Sequence, residues 1–249
     1  MSEEQAQTSR ARDQMQVVTI SREYGSGGGE IAHRLAERLH WDLVDHKIVV
    51  EVARELQVSE SDVEEYDERG EGFIARFLSS LQGIDQVLPA TAPLLINDTL
   101  PDYQSALTRV VKAAILTGHV VLVGRGSQVL LGNRQDALHI RIIAPFELRT
   151  KYVMQREGLS EEDAKIRLRS KDRDRDRYLQ DTYKRHPDDP KLYDLVINTA
   201  VFDLDSAVDL IELALDRKAT RLSIPPTELG PAFGLPPYPD QPGDFHVSK

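Results

Sequence analysis

The sequence predicts an α/β protein, a parallel sheet with helices on both faces, and three observations predict it. Short β-branched, apolar runs alternate with amphipathic stretches along the chain. A glycine loop joins the first such run to the first amphipathic stretch. The charged and glycine-flanked motifs sit just after the apolar runs. Strands separated by helical crossovers pair in parallel, and such sheets bind ligands at the carboxyl ends of their strands.

In chain order, residues 1–14 are polar and read as a flexible leader. Residues 17–21 form a buried strand, and 30–39 a helix with Ile31, Leu35, Ala36 and Leu39 on one face. Residues 41–45 make a second short strand that ends in Asp45. A helix over 46–56 follows, and Ser59-Glu60-Ser61-Asp62 has the form of a capping box that starts another. Phe73, Ile74, Phe77, Leu78 and Leu81 predict a helix before a segment interrupted by Pro89, Pro93 and Pro101, and 103–117 is amphipathic throughout. The apolar run 119–123 ends in Gly124-Arg125-Gly126. A strand over 138–144 and a helix over 146–157 come next, and Ser160 caps a helix that enters a basic stretch. A last strand at 194–198 and a last helix at 204–217 complete the pattern, and residues 222–249 read as a Pro/Gly-rich flexible tail. The domain proper therefore spans 15–221.

Composition narrows the function classes. The chain of 249 residues carries a formal charge of −10, no cysteine and no apolar run long enough to cross a bilayer. A thiolate metal site and a disulfide frame are excluded, and the expected location is cytoplasmic. Net acidity argues against nucleic-acid or membrane binding. Yet nine Lys/Arg face only four Asp between Lys165 and Arg185. A basic island in an acidic protein suits a small polyanion.

Tyr24-Gly25-Ser26-Gly27-Gly28-Gly29-Glu30, between a strand and a helix start, has the form of a phosphate cradle, because bare backbone lets several N–H groups close on an anion. A ligand-free glycine turn is the plainer alternative. Set against G-x-x-x-x-G-K-[ST], Gly28 falls on the second glycine, Gly29 on the lysine and Glu30 on the Ser/Thr. Arg22 or the basic island can supply the missing charge, and Ser26 is the nearest hydroxyl for Mg²⁺. Arg125, after a buried strand, is either a bidentate phosphate ligand or a surface arginine between turn glycines. Asp45 is an acid at a strand end or a helix N-cap. Arg173 and Arg177 share one helix face at i, i+4 with Asp174 beside them, as a solvated charged face or as a clamp on a transferring phosphoryl group. The seven histidines have no metal-ligand spacing, and no metal site is expected from protein ligands.

Taken together, Thr-Ile-Ser-Arg-Glu-Tyr-Gly-Ser-Gly-Gly at 19–28, Asp45, Val-Gly-Arg-Gly at 123–126, Gly-Leu-Ser-Glu-Glu-Asp-Ala at 158–164 and Tyr-Asp-Leu-Val-Ile-Asn-Thr at 193–199 resemble the cytidylate kinase-like proteins. The resemblance covers about residues 16–217. It implies a three-layer P-loop nucleoside triphosphate hydrolase fold with a parallel sheet, a monophosphate-binding insertion at about 46–108 and an arginine-rich lid at about 168–190. It implies that residues 24–30 hold the phosphates of ATP, taken with Mg²⁺, and that Asp45 and Arg125 bind an acceptor nucleotide. Arg173, Asp174 and Arg177 fall on the lid motif, with Arg173 as the transition-state clamp. Cytidylate kinases proper carry the loop lysine, and many of these relatives carry a basic residue where this chain has Gly29.

The expected activity is phosphoryl transfer from ATP to CMP or dCMP. Two alternatives stand beside it: a nucleotide-binding regulatory module that lost turnover with the loop lysine, and a kinase of the same fold acting on another small metabolite. The sequence leaves the oligomeric state open.

Overall fold

The computed structural model describes residues 11–45 and 118–230. The helices expected over 46–56, after Ser59, over 73–81 and over 103–117, and with them the whole insertion expected at about 46–108, lie outside the described residues. Five strands form one sheet in the order β2-β3-β1-β4-β5, every pairing parallel. They are β1 (Val17–Arg22), β2 (Asp42–Val44), β3 (Val120–Val123), β4 (Ala137–Ile143) and β5 (Leu195–Asn198). This is the α/β class that the alternation predicts.

The described helices are α1 (Gly28–Leu39), α2 (Ser127–Leu130), α3 (Phe146–Glu157), α4 (Glu161–Tyr183) and α5 (Leu204–Ala219). Among the described residues, no helix is long and apolar enough to cross a membrane. Ser160 caps α4 as expected, its hydroxyl accepting the Asp163 N–H at 3.2 Å. Acidic residues fill the first turn of that helix, where the dipole favours them.

Alternation along the strands divides the sheet into two unlike faces. Val18 and Ile20 of β1, Val121 and Val123 of β3, Leu138, Ile140 and Ile142 of β4 and Ile197 of β5 pack against Ile31, Ala32, Leu35 and Ala36 of α1. Ala207, Val208, Ile211 and Leu215 of α5 close the same core. The intervening residues point the other way, and there Thr19, Ser21, His139 and Arg141 are buried polar groups. Arg141 is 7% exposed, held by Ser21 Oγ at 3.2 Å and Asp188 at 2.9 Å.

Two terminal readings change. Residues 11–14, read as part of the leader, are docked. Ala11 packs on the core, the Arg12 guanidinium grips Asp216 of α5 at 2.5 and 2.6 Å, and Met15 just beyond is fully buried. At the other end Leu222 packs on the same core and the Ile224 carbonyl accepts from Gln135 at 3.0 Å, so the tail is anchored where it leaves α5. Single apolar side chains and one bidentate pair suffice to tie down a segment too short to show periodicity.

Candidate active site

The loop between β1 and α1 owes its shape to two left-handed glycines. Gly25 (φ 75°) and Gly27 (φ 80°) lie where side chains are disfavoured, and both are also packed tight. A side-chain carbon at Gly25 would stand 2.9 Å from Val153 Cγ2, and one at Gly27 2.7 Å from Leu204 Cδ2. Ser26 is buried, and its hydroxyl reaches the Glu23 carbonyl at 2.9 Å and the Ile142 carbonyl at 3.2 Å, so it is spent on the loop rather than offered to a metal. No side chain caps α1, which leaves its first amides unsatisfied within the helix. Glu30 turns outward to Arg34 at 3.2 Å and Arg156 at 3.4 Å.

A cavity of about 1020 Å³ opens at the carboxyl ends of β1 to β4, between the loop and α4. Its cations come from separate elements: Arg22 at the end of β1, Arg125 after β3, Arg141 on β4, and Arg167, Lys171 and Arg175 on α4. Tyrosines back three of them, with Arg125 over Tyr178 at 5.8 Å, Arg141 over Tyr193 at 5.7 Å and Arg175 over Tyr24 at 5.3 Å. Burial, then the neighbouring charge of Arg175, lowers the Arg22 guanidinium to about 9, although Asp45 pulls the other way. Burial likewise lowers Arg175, and it raises Asp176. Arginines held at a cost in an open cleft are poised for an anion that would relieve them.

Helix α4 is fastened over the loop by charge. Asp172 accepts the Tyr24 N–H at 2.7 Å and the Arg149 guanidinium at 2.5 Å. Arg149, 7% exposed, also donates to the Tyr24 carbonyl at 3.0 Å and the Ala144 carbonyl at 2.9 Å, and lies 3.4 Å from Glu23. Arg175 donates to the Arg22 carbonyl at 3.1 Å, and the Tyr183 hydroxyl to the Arg125 carbonyl at 3.2 Å. One arginine of α3 thus joins the loop, the end of β4 and the basic helix.

Of the residues singled out from sequence, Arg22, Tyr24, Asp45, Arg125 and Asp174 line the cavity together. The glycines 25–29 form the floor of the loop beside it and are not in the lining. Arg173 and Arg177 are exposed and point away from it, and Arg175 takes the inward place. Leu168 and Leu179, both buried, set the phase of α4, and Asp172 and Arg175 fall on their side at spacings of four, three and four. That apolar phase is the signal from which Arg175 and Asp172 were legible. Arg149 and Arg141 gave none: Arg149 is one of several charged residues of α3, and Arg141 shares β4 with a second polar residue, His139.

The two glycines that open α1 differ in their surroundings. A side-chain carbon at Gly29 would meet nothing within 4 Å, and Gly29 is exposed. One at Gly28 would stand 2.7 Å from Arg22 Cβ, toward the arginine that lines the cavity. The space a side chain would take at residue 28 is filled by Arg22, and that at residue 29 is open.

A parallel sheet, a glycine loop opening a helix, and an arginine-lined cleft under a basic helix define the kinase-type phosphotransferases as the class. Within that class, the chain belongs to the cytidylate kinase-like family, whose model matches residues 17–201. It is 26% identical over 209 residues to a cytidylate kinase of Methanopyrus kandleri, covering 80% of this chain and 93% of that protein. A stretch of 111 residues is 37% identical to a uronate isomerase of Corynebacterium glutamicum, 45% of this chain but only 21% of the length of that relative. Among solved structures, an uncharacterized protein from Eubacterium ventriosum superimposes with a TM-score of 0.60 at 25% identity, covering 82% of this chain and 99% of that one.

Proposed function

We propose that the protein transfers the γ-phosphoryl group of ATP to a nucleoside monophosphate, CMP or dCMP. The observation that carries this reading is the cleft itself, where six cationic side chains from four elements converge beside a loop with uncapped helix amides. Such a layout suits two phosphorylated ligands meeting end to end. The match to a cytidylate kinase over nearly its whole length supports the choice of acceptor.

In this reading the loop amides and Arg175 hold the donor phosphates, while Arg125 and Asp45 orient the acceptor. Transfer needs no covalent enzyme intermediate, because positioning and charge neutralisation carry most of the work. Asp172 and Arg149 keep α4 seated over the loop, so the basic helix excludes water from the reacting group. Mg²⁺ taken with ATP would supply neutralisation of phosphate charge. Among the described residues no three acids or histidines group as a metal site, so the cation would be held mainly through phosphate and water, with Asp45, Asp174 and Asp176 among the acids that line the cleft.

The test is a coupled assay with purified protein, ATP, Mg²⁺ and a panel of nucleoside monophosphates. Turnover of CMP or dCMP above the no-enzyme rate is the expected result, and failure of every monophosphate overturns the proposal. The bare positions 28 and 29 favour a second reading, a binding module without turnover. ATP would then raise the melting temperature while no monophosphate is phosphorylated.

A further inference from the structure

Arg22 is the last residue of β1, and its half-buried side chain lines the cleft. Its Cβ and Cγ lie where a side chain at Gly28 would begin, 2.7 and 3.2 Å from the carbon that any other residue would place there. Its guanidinium crosses to β3 and covers Gly124, whose own side-chain carbon would stand 2.2 Å from Nη1. The end of β1, the start of α1 and, from far along the chain, the turn after β3 thus share one space. Two glycines leave it empty, and one arginine fills it.

The count of residues gives this packing a meaning. In G-x-x-x-x-G-K the first glycine ends the strand and the lysine opens the helix, reaching back across the loop to the phosphates. Here the six-residue window from position 22 to Gly27 ends on a glycine, and Gly28 opens the helix. Arg22 stands on the first glycine and Gly28 on the lysine. We infer that the two positions have exchanged roles, so that Arg22 reaches forward over Gly28 and supplies the phosphate-facing cation that the lysine supplies elsewhere. The exchange is reciprocal for a steric reason, since the bulk of either residue needs the other to be bare.

Charge around the group agrees. Arg22 lines the cleft, and among the described residues Asp45 is the acid whose charge reaches it, against the like charges of Arg175 and Arg125. A guanidinium buried in that company favours a polyanion, and its fork can hold two oxygens of one phosphate or of neighbouring ones. The inference rests on the phosphate-binding reading of the cleft, though not on the identity of the acceptor.

The experiment measures binding of ATP and of inorganic tripolyphosphate by calorimetry, with CMP turnover as a separate readout, on the full chain and on R22G, R22K, G28K, R22G/G28K and R22G/G29K. Melting curves verify that each variant is folded. R22G is expected to lose about 10- to 100-fold in affinity for both polyphosphates, the scale of a lost charge-assisted contact. R22K should retain part of it. G28K alone should also bind weakly, because its Cβ collides with Arg22, whereas R22G/G28K regains affinity and R22G/G29K does not. Unchanged tripolyphosphate binding in folded R22G overturns the inference, as does a double variant R22G/G28K no better than R22G. Wild-type protein that binds tripolyphosphate through Arg22 but phosphorylates nothing refutes the kinase reading alone, and wild type that binds neither polyphosphate refutes both.

Discussion

The two faces of the sheet use alternate residues of the same strands for opposite ends. On one face Val18, Ile20, Leu138, Ile140 and Ile142 meet α1 and α5 in an apolar core. On the other, Thr19, Ser21, His139 and Arg141 are as deeply buried, each tied to partners on other segments. The difference shows where stability and chemistry are kept. The apolar face is held by area removed from water, which is insensitive to charge. The polar face is held by hydrogen bonds and ion pairs that offset the cost of desolvation, although His139 Nε2 is buried without a hydrogen-bond partner.

The sharpest way to break that division is on the apolar face. Ile20→Ala, at a fully buried position of the central strand, should cost about 2–5 kcal/mol in chemical unfolding. Turnover per folded molecule should stay near wild type, because the residue is turned away from the cleft. Arg149→Ala tests the other side. It strands Asp172 and Glu23 without their shared cation and should cost about 3 kcal/mol. It should also release α4 from the loop, read as faster proteolysis within Glu161–Tyr183 and a steep fall in turnover. Equal protease resistance in wild type and variant would remove Arg149 as the fastening.

A smaller effect comes from His139. Its Nδ1 lies 2.8 Å from Thr19 Oγ1, and Asp194 and Lys218 stand near. Burial, the largest cause, depresses its affinity for a proton in the fold. The unfolded chain then binds the proton more readily, so this contribution to stability is full above the unfolded value of about 6.5 and is lost as pH falls through it. Melting temperature should drop between about pH 7 and 5, and His139→Asn should flatten that part of the profile. The smallest effect is expected at Gly29, exposed in the first turn of α1 with open space around it. Gly29→Ala should raise stability by about 0.5–1 kcal/mol through lost backbone entropy alone. A loss there would mean that some contact requires the bare position.

Much of the fold was legible. Apolar runs at 17–21, 119–123, 138–144 and 194–198 became β1, β3, β4 and β5 within two residues at each end, and Ser160 started α4 where its capping pattern said. These features are local, carried by side-chain period, caps and glycines that can be read over a few residues. The candidate site was legible in parts: the loop, Asp45, Arg125 and the presence of a basic helix.

What sequence could not decide was direction. Helix α4 is charged nearly all round, so its pattern does not say which arginines face the cleft. The packing of Leu168 and Leu179 and the grip of Arg149 on Asp172 turn Arg175 inward and leave Arg173 and Arg177 in solvent. The loop presents the same division. Its glycines were plain in the sequence, but only the tertiary structure shows that Gly28 and Gly124 are bare beneath one arginine while Gly29 faces open space. By itself the sequence determined the elements, their order and the edge of the sheet where ligands bind, because those follow from short-range pattern. The tertiary structure decided which cations meet there, because a long flexible side chain takes its direction from neighbours that are distant in the chain.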